Sequence, residues 1–240
     1  MAFTIVIMHH DVIPDRRART DKRRADRVEG ILDTAMNILA TEGEGALTMG
    51  RLAKDEGLVA AALYRYFPSK DAILVALQKR ALLDLSSRLK LERARWEERL
   101  ARHEKPVRAL GALIAAGRFY LGLRDAAPET WSLIALLLGD PRPLLSAPDA
   151  AANAPLATAL LGELSSLLND GVRADALSPG DSFNRAIVMW ASLQGLGQLE
   201  KLRRVAPLPE NALLSELTIK TILLGFGAES SLYSKSRSAL

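Results

Sequence analysis

A chain of 240 residues with 32 Lys+Arg against 28 Asp+Glu carries a formal charge of +4, and its residues are 49% apolar and 25% charged. That balance fits a folded globular protein and excludes a largely disordered one, which needs low hydrophobicity and high net charge. The lack of Cys excludes a disulfide scaffold, a thiolate zinc site and a cysteine nucleophile, and three His leave little for a histidine-rich site. Leu and Ala dominate while aromatics make up 5%, which favours helices over a β-sandwich. Met1 to Met8 is apolar but lacks a basic flank and a small-residue cleavage site, so it is not read as a signal peptide. No stretch nears the ~18–20 apolar residues of a membrane span. The expectation is a soluble cytoplasmic protein with no membrane partner.

Residues 1–24 are expected as a flexible arm. Its run Arg16 to Arg27 holds seven Lys+Arg and two Asp, a local charge of +5. Such an arm can track phosphates or enter a minor groove, or it can simply solvate the chain. His9, His10 and Asp11 have no further ligand beside them, so neither a metal nor a cofactor is expected. From Val28 every long apolar pattern has the helical period. Val28, Ile31, Leu32, Ala35, Met36 and Leu39 line one face of a first helix, with Gly43 where a C-terminal cap belongs. Short helices are predicted over 49–56 and 60–67, separated by Gly57. Pro68 closes the second, and Ser69 can cap a long helix running to about Arg99, with Asp71 in its first turn. Helices starting near Pro106 and Pro128 follow. The segment 139–155 holds four Pro and reads as a loop. Helices over 156–169, 181–203 and 209–226 come next, and 228–240 reads as a frayed tail. The fold class is all-α with about nine helices. Residues 25–71 form one domain and 72–227 a second.

The stretch Leu47 to Leu77 has the anatomy of a helix-turn-helix. Thr48 can cap its first helix, Gly57 permits the positive φ of the turn, and Leu58 fills the corner. In such a unit the second helix enters the major groove while residues around it grip phosphates. Ala60, Ala61 and Ala62 leave that helix thin, so its backbone can approach base edges. Tyr64, Tyr66 and Lys70 offer polar tips to phosphate oxygens. Two short helices packing in an all-α domain would give much of the same pattern. The residues match something narrower: residues 28–77 resemble the N-terminal domain of the TetR family of bacterial transcriptional repressors. The resemblance rests on Gly43, Thr48, Arg51 with Ala53, Gly57, the run Leu63-Tyr64-Arg65-Tyr66-Phe67, and Ser69-Lys70-Asp71. It implies DNA binding through Thr48, Arg51, Ala60, Ala61, Ala62, Tyr64, Arg65, Tyr66 and Lys70. The chain departs from the family at Val59, where a capping Ser or Thr is usual, and at Ala61 and Ala62. An Ala-rich recognition helix supplies few groups for direct readout. Base choice would then rest on thymine-methyl contacts, on Arg65 or on DNA shape.

No Gly-rich phosphate loop, Gly-x-Ser-x-Gly elbow or His-Glu-x-x-His motif occurs, so no enzymatic activity is expected. Asp55 and Glu56 point in different directions on a helix and read as surface charge. The resemblance implies a small-molecule pocket in the C-terminal domain, with Arg118, Tyr120, Trp131, Met189, Trp190, Gln194 and Gln198 as candidate lining. Trp190, Gln194 and Gln198 recur at four-residue spacing along one helix face. The same residues also suit a core or a subunit interface. The last two long helices are apolar over more than one face. Ala191, Gly195, Leu199, Leu214, Thr218 and Ile222 are therefore expected at a homodimer interface. The function expected is a repressor released from a double-stranded, inverted-repeat DNA operator by a small apolar or amphipathic effector. The alternative is an architectural or cell-division factor on the same fold, without a chemical inducer.

Overall fold

The computed structural model describes residues 16–138, 145–203 and 205–240. Among them are eleven α-helices, a single 3-10 turn and no strand. The chain divides into two compact units, residues up to Lys70 and residues from Asp71 on.

In the first unit α1 (Arg16–Glu42) buries Ile31, Leu32, Ala35, Met36, Ile38 and Leu39 along one stripe. A 3-10 turn at Glu44–Ala46 leads to Thr48, whose Oγ1 accepts the backbone N–H of Arg51 at 3.1 Å and caps α2 (Met49–Asp55). At the far end of α2, Leu58 N–H reaches the carbonyl of Ala53 (2.8 Å) and Gly57 N–H reaches that of Lys54 (3.1 Å). This crossed pair is a Schellman ending. It requires the positive φ of +63° that Gly57 adopts without a side-chain clash. Val59, in an extended conformation, opens α3 (Ala60–Tyr64). Leu47, Leu52, Leu63 and Phe67 close the core against α1's apolar residues.

The second unit holds α4 (Lys70–Leu100), α5 (Lys105–Ala126), α6 (Pro128–Leu138), α7 (Ala147–Ala151), α8 (Ala154–Arg173), α9 (Ser182–Arg203), α10 (Asn211–Gly225) and α11 (Ser230–Ser238). Helix α5 is its axis and packs against α6, α8, α9, α10 and α11. It buries Val107, Leu110, Leu113, Ile114, Tyr120 and Leu123, because a helix apolar over more than one face must be covered by several neighbours. Gly117 lets α10 approach closely: a Cβ there would lie 2.9 Å from Ile219 Cδ1.

Three expectations change. The basic run is not a flexible arm from Arg16 onward, because residues 16–24 are the first turns of α1. Residues 1–15, including His9, His10 and Asp11, lie outside the described residues. The segment read as a frayed tail contains α11, which packs on α5 and buries Tyr233 and Ser236. The segment read as one loop contains α7 and the start of α8, while 139–144 lie outside the described residues. These account for eleven helices where about nine were expected.

Candidate nucleic-acid interface and ligand cavity

The turn places α3 with Ala60, Ala61, Tyr64 and Arg65 facing solvent; Tyr64 is 51% and Val59 74% exposed. Ala62, expected among the contacts, is instead buried at 8% exposure beside Leu63. The run of three Ala carries no periodicity from which its inward position could be read. The exposed face is thus thin at its start and ends in one phenol and one guanidinium.

Around this face, several groups expected at DNA are occupied within the unit. Arg51 is held by the Glu42 carboxylate through two bonds of 2.9 and 3.1 Å, and by Asp55 at 2.7 Å. These carboxylates, Glu42 first, raise its pKa further. Lys70 donates to the carbonyl of Glu44 at 3.0 Å and to the Glu44 carboxylate. Thr48 spends its oxygen on the cap. Tyr66 lies under the Arg24 guanidinium, 5.4 Å from the ring centroid, and Arg24 also donates to the Arg65 carbonyl at 3.3 Å.

Glu56 is not the surface charge that its sequence context suggests. Its side chain is 10% exposed, accepts from Thr34 Oγ1 at 2.5 Å and pairs with Arg27 at 3.4 Å. Arg27 also donates to the Glu56 carbonyl at 2.8 Å, tying the end of α2 to α1. Two arginines of the basic run therefore brace the turn. Lys22 and Arg23 on the same helical extension are exposed.

In the second unit, α4, α5, α6, α8 and α9 line a cavity of about 170 Å³. Its wall is mostly aliphatic, from Leu82, Leu85 and Leu89 on α4 to Leu160, Leu164 and Leu167 on α8. Tyr120, Met189 and Trp190, three of the expected lining residues, are on that wall. Tyr120 donates to Gln194 Oε1 and accepts from Trp190 Nε1 at 3.1 Å. Burial pushes the Tyr120 phenol well above its ordinary pKa, against the smaller opposing effect of the Trp190 bond. The phenol is a neutral anchor at physiological pH. Gln194 is buried behind this bond, and its Nε2 has no partner among the described residues.

Two expected lining residues sit elsewhere. Arg118 forms a two-pronged pair with Glu216 of α10, at 2.6 and 2.8 Å, and ties α5 to α10. Trp131 packs edge-on to Tyr120, its centroid 5.4 Å away, and fills the space above Gly197, where a Cβ would meet its ring at 2.6 Å. The side chain of Gln198 lies outside the described residues. Sequence reasoning missed Arg93, Trp96, Phe119 and Glu163 on the wall. The Leu spacing on α4 and α8 was a signal, but it reads equally as packed core.

On α9, Phe183, Ile187, Val188, Ala191 and Gly195 form an exposed stripe, and on α10 so do Leu213 and Leu217, at 61% and 55%. Leu199, Leu214, Thr218 and Ile222 are only part-exposed, so the most outward apolar groups of α10 are one position earlier than expected. The described residues contain no cluster able to hold a metal and no helix long and apolar enough to cross a membrane.

The sequence model described as "Bacterial regulatory proteins, tetR family" matches residues 31–77. The nucleoid occlusion factor SlmA of Mannheimia succiniciproducens is 35% identical over 79 residues, which is 32% of this chain and 37% of that protein. Among solved structures, a tetR-family regulatory protein from Rhodococcus RHA1 superposes with a TM-score of 0.61 at 15% identity, over 85% of this chain and 98% of that one. AibR, solved with isovaleryl coenzyme A and operator DNA, gives 0.58 at 15% identity over 85% of this chain and 100% of its own. The family's sequence pattern thus runs from α1 into α4, and the fold of a tetR-family regulatory protein extends over 85% of the residues.

Proposed function

We propose that this protein is a homodimeric, cytoplasmic DNA-binding transcriptional regulator, a repressor that a small amphipathic effector releases from an inverted-repeat operator. The observation that carries this reading is the exposed face of α3, thin at Ala60 and Ala61 and ending in Tyr64 and Arg65, on a turn braced from α1. Those four residues are the proposed groove contacts, with Lys22 and Arg23 on phosphates. Thr48, Arg51, Ala62, Tyr66 and Lys70 hold the reading helix in place. The exposed stripes of α9 and α10 suit a two-fold interface, and a two-fold protein reads an inverted repeat. The work of such a protein is binding rather than catalysis.

The likeness to SlmA favours a second reading, a DNA-bound cell-division factor without an inducer. The cavity weighs against it, since a scaffold has no use for a largely apolar ligand-sized space in its second unit. Selection of duplexes from a random pool by the purified protein tests the proposal. A palindromic consensus, with binding that weakens steeply as salt rises, is expected. Recovery of unrelated sequences would overturn it.

A further inference from the structure

We infer that the cavity takes an amphipathic anion, with its short apolar body inside and its carboxylate or phosphate head at Lys105 and Arg108. This rests on reading the second unit as an effector-binding domain. The 170 Å³ cavity is smaller than the roughly 300–1,000 Å³ of sites for drug-sized ligands, which limits the body to a short or medium chain. The aliphatic wall gives way at one end to Arg93, Trp96 and Glu163.

That end adjoins a second concavity. Arg93, Trp96 and Leu167 also line a surface groove of about 650 Å³, whose other charged residues are Lys105, Arg108, Arg173, Glu97 and Asp170. Its carboxylates are committed: Glu97 to Arg93 at 2.7 Å and Asp170 to Arg173 at 3.6 Å, while Glu163 of the cavity wall holds Arg93 at 2.8 Å. Lys105 and Arg108 have no ion-pair partner among the described residues. They stand on the first turns of the 22-residue helix α5, whose N-cap acid Glu104 is engaged by Lys235 at 3.3 Å.

At the shared wall Trp96 is only 5% exposed, and its Nε1–H has no acceptor among the described residues. A buried donor left unpaired is unfavourable, and a ligand oxygen at the junction of cavity and groove would satisfy it. An apolar space, an orphan donor on the wall it shares with the groove, and two cations lining that groove match an acyl chain, its first oxygen and its charged head. A cationic head would face Lys105 and Arg108, and an uncharged head would leave them unused.

Calorimetry on the purified full-length chain with octanoate, octyl phosphate, octanol and octylamine tests this. At least one anion is expected to bind tenfold or more tightly than octanol, with octylamine weakest; octanoate against octyl phosphate tells a carboxylate head from a phosphate one. The double variant Lys105→Gln, Arg108→Gln, on the exposed side of α5, is expected to lose about tenfold for the anions and to leave octanol unchanged. Leu164→Trp, with its fold checked by circular dichroism, is expected to abolish binding of all four. Equal affinity for octanol and both anions, indifference of the anions to the double variant, or no binding at all would overturn the inference. Operator affinity is measured separately. Anion binding that leaves it unchanged would defeat the effector reading while this inference stands, and release by octanol with no preference for anions would do the reverse.

Discussion

Thr48 and Val59 open the two helices of the turn in different ways. The hydroxyl of Thr48 satisfies one of the donors that every helix start leaves over, whereas Val59 has no oxygen to offer. Thr48→Ala is therefore expected to cost about 1 kcal/mol of stability, and Val59→Ser to add a similar amount. Urea denaturation of the two variants checks both signs. Arg65 and Lys22 are expected to divide differently at the proposed DNA contact. Arg65 stands at the end of the reading helix, so Arg65→Gln should cost about 1–3 kcal/mol and relax base preference at one position. Lys22→Ala should weaken all sequences alike and reduce the salt slope by about 1. Fluorescence anisotropy at several salt concentrations separates the two behaviours.

Arg118 and Glu216 join α5 to α10, and the bond from Arg118 holds the Glu216 carboxyl below the ordinary carboxylate pKa against partial burial. A depressed folded-state pKa stabilises above the unfolded value, about 4.3 for Glu, and that contribution disappears as pH falls through the folded one. Glu216→Gln should thus lower the melting temperature at pH 7 and narrow the gap to wild type below about pH 4. Helices α2 and α3 and their turn are legible in the sequence because Thr48, Gly57 and Leu58 act locally. Helix α11 is not legible, since Ser-rich SSLYSKSRS has little helical stripe and is ordered by packing on α5. The helical start of α1 is hidden for a similar reason: no apolar period exists before Val28, and what orders Arg24 and Arg27 is their contact with residues 41 and 29 positions away. The cavity is illegible from sequence, because a leucine facing a void and a leucine facing a neighbour have the same spacing.

At the scale of the molecule, two reading heads can occupy successive major grooves only if their separation matches about 34–36 Å or a multiple. In the proposed dimer, that requirement makes the exposed stripes of α9 and α10 central to function as well as to assembly. Gly195→Asp places a charge where a partner's apolar surface is proposed. It should give monomers at micromolar concentration by sedimentation and lose operator binding with them. An effector that binds one arrangement of the dimer better than the other shifts affinity by its differential binding alone, typically about 1–3 kcal/mol. The most direct test of the whole account is the affinity of the purified chain for its selected duplex against a scrambled duplex at the same salt, in wild type and in Ala61→Asp. The account predicts a preference of about 10³-fold or more in wild type, lost when a carboxylate is placed on the exposed face of α3. Equal affinity for the two duplexes, or a preference that survives Ala61→Asp, would contradict it.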